Sequence, residues 1–142
     1  MSPIPDRILV PLIVACALLM EHIDSTVIST ALPSIARDFG TSPIHLKLAV
    51  TSYLLAIAVC LPASGWLSDR FGARLIFRLA IVIFTAGSVL CGFSGSIGGI
   101  VFARVVQGIG GAMMVPVGRL VILRTIPKIE IVGALAWLTF PA

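Results

Sequence analysis

An all-α, polytopic membrane helix bundle is the fold class this sequence predicts, and three observations carry it. Of the 142 residues, 58% are hydrophobic and only 11% are charged, against roughly 25% charged in an average soluble domain. The mean hydropathy is +1.13, which leaves too little polar surface to cover a water-soluble globule. Residues 48–68 and 79–103 carry no charged side chain. Each run meets the ~20 residues needed to cross ~30 Å of hydrocarbon.

The first predicted span covers 8–32 and is interrupted by Glu21, His22 and Asp24. Arg7, the apolar run and Ala15-Cys16-Ala17 imitate a cleavable signal peptide. The segment stays apolar past that site and further spans follow, so it reads as an uncleaved first span. Pro33 and the Gly40-Thr41-Ser42-Pro43 cluster mark its exit and the next entry. Thr41 or Ser42 can cap there, and Pro43 suits a first helical turn.

The second span covers 45–66. A polar stretch from Gly65 to Arg74 forms an elbow before the third span, 75–93, where Arg78 sits close enough to the end to snorkel. Residues 94–99 read as a tight uncharged turn. The fourth span covers 100–118, with Arg119, Arg124 and Lys128 after it. A fifth begins near Ile131, but 131–142 make only about 18 Å of helix. The sequence is therefore expected to be the front part of a longer protein, by truncation or by gene decay.

Loop charge sets the orientation. Arg7, Arg70, Arg74, Arg78, Arg119, Arg124 and Lys128 fall on one side, and only Arg37 and Lys47 on the other. That bias predicts a cytoplasmic N-terminus. The net charge of +4 is scattered along loops, with no aromatic interleaving, which excludes nucleic-acid binding. Cys16, Cys60 and Cys91 lie in different apolar segments, with no CxxC and no His at metal spacing. They read as small buried helix residues, and no metal site is expected.

Four ionisable groups lie where hydrocarbon is predicted: Glu21, His22, Asp24 and Arg104. Charges at mid-membrane are costly, face the protein interior and mark pathways or relays. Counted from Ile8 at the inner face, Glu21 and Asp24 lie about 20 and 24 Å up, and Arg104 on the descending fourth span about 21–24 Å. The acids and the arginine share a depth. Spacing of three places Glu21 and Asp24 on one face, while His22 points about 100° away from Glu21. An arginine beside an acid holds it ionised, and loss of that contact favours proton uptake. The alternative is a static ion pair that helps the first and fourth spans assemble.

Around Arg104 the sequence reads Arg104-Val105-Val106-Gln107-Gly108-Ile109-Gly110-Gly111-Ala112. The Gly108/Ala112 pair permits close helix approach, and Pro116 removes a backbone donor below it. A dinucleotide fingerprint fails here, because Met113 occupies the third glycine position and no strand precedes it. Gly92-Phe93-Ser94-Gly95-Ser96 is not a nucleophile elbow, and no HExxH appears. No enzyme is expected. In the Gly65–Arg74 elbow, both glycines are predicted to allow a tight reversal, Asp69 to accept from a helix N-terminus or an arginine, and Arg70 and Arg74 to sit one helical turn apart.

The elbow closely resembles the G-x-L-a-D-r-x-G-r-k loop between the second and third spans of the major facilitator superfamily. Gly65, Leu67, Asp69, Arg70, Gly72 and Arg74 match, while Ser68 and Ala73 depart. Residues 100–112 resemble its fourth-span motif, l-x-x-x-R-v-x-q-G-x-g-a-a, with Arg104, Gln107, Gly108 and Gly110 in place. Ile23-Asp24-Ser25-Thr26-Val27-Ile28-Ser29-Thr30-Ala31-Leu32-Pro33 is similar to the first-span motif of the fourteen-spanner drug:proton antiporters, with Ser29 where that branch commonly has Asn.

The resemblance implies the N-terminal part of a major facilitator fold. It implies proton-coupled efflux of amphipathic drugs or other small organic molecules by alternating access. It places Arg104 and Asp24 in proton coupling; Glu21 joins them on depth and spacing. It places Asp69, Arg70 and Arg74 in a cytoplasmic latch that stabilises the outward-facing state, less one usual cation at Ala73. The antiporter motif of the fifth span falls beyond Ala142, so antiport stands on the first-span motif. The bacterial inner membrane is the expected location, with the lipid bilayer, a small-molecule substrate and a periplasmic adaptor protein as partners. The proton gradient, with no cofactor, supplies the energy. The competing expectation is a non-transporting assembly or interaction module, or an inert gene fragment. A stop codon after Ala142 favours that alternative; an open frame encoding further spans favours the transporter.

Overall fold

The computed structural model describes residues 6–38, 40 and 42–125. The fifth predicted span and Lys128 lie outside the described residues. Four helices follow in order: α1 Asp6–Asp38, α2 Pro43–Phe71, α3 Ala73–Gly92 and α4 Ile97–Thr125. Hydrocarbon offers no water to pair with an open backbone, so an apolar run closes its hydrogen bonds within itself as a helix. All four are long and apolar enough to cross a membrane. Among the described residues there is no strand.

The helix ends run past the predicted spans. Pro33 lies inside α1 rather than beyond its end, and Gly98 and Gly99 belong to the first turn of α4 rather than to the preceding turn. Arg119 and Arg124 also ride on α4. At 29 residues, α2 and α4 are each about 44 Å long and outreach ~30 Å of hydrocarbon. A helix does not stop where the lipid stops. It stops at a cap. Ser42 caps α2, its hydroxyl accepting from the Ile44 N–H at 3.4 Å, with Pro43 in the first turn as predicted.

Gly72 makes the sharp break between α2 and α3, at φ 91°. Gly65 lies mid-helix in α2, so the predicted two-glycine reversal is a one-glycine turn. Arg70 ends α2 and Arg74 opens α3, so they are not a turn apart on one helix.

α4 is the centre of the bundle and packs against α1, α2 and α3. Of its span 61% is buried, against 22%, 17% and 28% for the other three. Its glycines make this possible on several sides. A Cβ on Gly108 would lie 2.7 Å from the Tyr53 carbonyl oxygen, and one on Gly110 would lie 2.6 Å from the Phe84 nitrogen. Gly118 receives Val14 and Phe77. Small residues thus replace the missing hydrophobic drive between helices with close packing. Phe84, Met114, Ile122 and Gln107 are fully buried at this centre. Serines and threonines turn their hydroxyls onto their own helix, as Thr51 does to Lys47 O and Thr85 to Ile81 O.

Candidate functional site

The deepest charge in the bundle is Arg104, whose side chain is 3% exposed. Its Nη1 donates to Asp24 Oδ2 at 2.6 Å, joining α4 to α1. The depth arithmetic that matched these two residues is realised as a direct ion pair. Burying Arg104 is costly, and the Asp24 carboxylate offsets that cost in this conformation.

Glu21 shares the site by another route. Among the described residues it forms no ion pair with an arginine; the Tyr53 hydroxyl on α2 donates to its Oε1 at 3.5 Å. The Arg104 guanidinium also lies over the Tyr53 ring, 5.7 Å from its centroid. Tyr53 therefore bridges the acid and the cation, although nothing in its sequence setting distinguishes it from an ordinary apolar or interfacial tyrosine. Gly111 makes room for it, since a Cβ there would stand 3.1 Å from the Tyr53 hydroxyl and 3.5 Å from Glu21 Oε1. One oxygen of Glu21, Oε2, and the Arg104 Nε are buried without a partner among the described residues. His22 is exposed, off this face as its spacing predicted.

One turn along α4 from Arg104, Gln107 donates from Nε2 to Ser88 Oγ on α3 at 2.7 Å. Gly87 lies against it, where a Cβ would stand 2.7 Å from the Gln107 nitrogen. This second polar clasp was not foreseen in the sequence, where Gln107 appears only as part of the motif.

The elbow residues diverge. Asp69 Oδ1 accepts from Arg124 Nη2 at 3.0 Å, so its partner is an arginine, from the far end of α4. Arg74 Nη2 donates to Thr125 Oγ1 at 3.4 Å. Arg70 instead stacks near Trp66 and Phe71, at 5.4 and 5.8 Å from their ring centroids. Together Asp69 and Arg74 tie the α2–α3 turn to the end of α4. Among the described residues no group of His, Cys, Asp and Glu is placed to hold a metal ion, and the three cysteines are unpaired.

The chain is 49% identical to the protein named "Putative multidrug resistance protein MdtD" in Salmonella paratyphi B, Salmonella heidelberg and Salmonella newport, across 99% of its own length. It spans 30% of the length of these relatives. The family profile described as Major Facilitator Superfamily matches residues 14–141. With its membrane-length helices and a profile match over nearly all of its length, the chain belongs to the Major Facilitator Superfamily.

Proposed function

We propose that this chain contributes the proton-coupling helices of a drug efflux transporter that exchanges protons for substrate by alternating access. The observation that carries the reading is the Arg104–Asp24 pair, buried between α1 and α4 with Glu21 and Tyr53 beside it. On this reading the Arg104–Asp24 contact is made in one conformation of the transporter and released in the other, and proton exchange by the acids of α1 accompanies that change. The acid–arginine contact thereby converts helix movement into proton movement.

The first-span resemblance and the multidrug resistance names of the relatives support amphipathic organic compounds as the substrate class. The bias of arginine and lysine supports a cytoplasmic N-terminus in a bacterial inner membrane. On that orientation the Asp69–Arg124 and Arg74–Thr125 contacts lie at the inner face, as a latch on the α2–α3 turn.

The test uses a chimera in which residues 1–142 replace the matching segment of a full-length relative. The chimera is expected to drive efflux of a fluorescent amphipathic cation from energised cells. Asp24→Asn or Arg104→Ala is expected to reduce that efflux to the background of cells without a transporter, with the protein still inserted. Undiminished efflux by both variants contradicts the coupling role.

A further inference from the structure

At the opposite end of the bundle from the Arg104 site, the start of α3 and the end of α4 border an open cleft of about 660 Å³. Arg74, Arg78 and Arg124 line it, together with Thr125 and the apolar side chains of Leu75 and Val121. Its volume lies within the roughly 300–1,000 Å³ of small-molecule sites. The charge around it is unbalanced. The α2–α3 turn and the adjoining ends of α3 and α4 carry Arg70, Arg74, Arg78, Arg119 and Arg124, against Asp69 alone.

A second hollow lies further along the same helix. It has about 520 Å³ and is lined by α3 alone, through residues that include Ile81, Val82, Ala86 and Val89. Arg74, Arg78, Val82 and Val89 fall at helical spacings of four, four and seven, so the arginines and the hollow share a face of α3. Leu75, Leu79, Val82 and Val89 are exposed along the helix, as side chains in contact with lipid tails are. A phosphate group held between Arg74 and Arg78 would thus sit one helical turn from an apolar track running into the membrane.

From this juxtaposition we propose that the α3–α4 cleft binds one anionic phospholipid of the surrounding bilayer, phosphate on Arg74 and Arg78 and acyl chain along the 81–89 face of α3. Basic pockets between membrane helices hold such headgroups. The site lies at the end of α3 on whichever side of the membrane that end is found, so it is independent of the orientation and of the transport reading.

The test is a lipid titration of the purified 142-residue chain in detergent, read by native mass spectrometry with phosphatidylglycerol, phosphatidylcholine and inorganic phosphate as probes. One phosphatidylglycerol is expected to bind at least tenfold more tightly than phosphatidylcholine. Arg78→Gln is expected to weaken it about fivefold, Arg78→Lys much less, and Arg74→Gln with Arg78→Gln to bring it to the phosphatidylcholine level. Helicity measured by circular dichroism should be unchanged in each variant, because both arginines are exposed. Equal binding of the two lipids, or full retention by the double variant, overturns the site. Displacement of the lipid by millimolar inorganic phosphate overturns the lipid as its source.

Discussion

Two arginine–aspartate pairs of the same chemistry sit at opposite depths of this bundle, and they do different work. Arg104–Asp24 is 2.6 Å long with side chains 3% and 20% exposed; Arg124–Asp69 is 3.0 Å long with side chains 52% and 72% exposed. Water screens the second, which can open and close at little expense. The first is largely shielded from water, so removing one partner by mutation leaves the other charge poorly compensated. The same two residue types therefore supply a high-stakes element between α1 and α4, and a soft tie between the α2–α3 turn and the end of α4. Environment, not residue type, decides which is which.

The largest expected effect breaks the buried pair. Arg104→Ala strands Asp24 among apolar helices and is expected to destabilise the bundle by about 3–5 kcal/mol, read by thermal unfolding in detergent. Replacing both partners, Arg104→Met with Asp24→Leu, should restore most of that loss, because no uncompensated charge remains. Failure of the double variant to recover stability means that the surrounding packing, not the charge, sets the effect.

Next come the glycines, where the same contrast of depth applies. Gly110→Leu drives a side chain into the α3 backbone at Phe84 and should cost about 1–3 kcal/mol. Gly65→Ala meets nothing within 4 Å and should stabilise α2 by up to about 1 kcal/mol. Parallel melting curves check both signs at once. Gln107→Leu removes the bond to Ser88 and should lower stability by about 1 kcal/mol, a loss that the further change Ser88→Ala should not deepen.

The smallest effect is at the exposed pair. Asp69→Asn should change stability by no more than about 1 kcal/mol, and the difference should vanish in high salt. A loss as large as that of Arg104→Ala, measured on the same chain, would erase the distinction between the two regions.

Much of this was legible in the residues. Apolar segments of membrane length marked the four helices of the described residues, and depth along a straight helix brought Asp24 and Arg104 to one level. Depth is not azimuth, however. Which face of α2 meets α1 depends on packing at Gly108 and Gly111, so the Tyr53 bridge to Glu21 could not be read from spacing within a single helix. The Ser88 partner of Gln107 was hidden for the same reason. The elbow misled in a different way. Charged residues mark the end of the lipid, whereas the α2 helix ends only at Gly72, where the backbone adopts a positive φ. Gly65 and Arg70 therefore lie within the helix, and Asp69 finds its partner on α4.

The central claim is that the buried pair moves protons rather than merely bracing α1 against α4. Exchanging its members, Asp24→Arg with Arg104→Asp in the full-length chimera, separates the two. A static brace works in either direction, whereas coupling needs the acid on α1 beside Glu21 and Tyr53. The account predicts that the exchanged protein inserts and unfolds near the temperature of the parent chimera, yet releases no protons from acid-loaded vesicles when substrate is added. Substrate-driven proton release at the parental rate would contradict it.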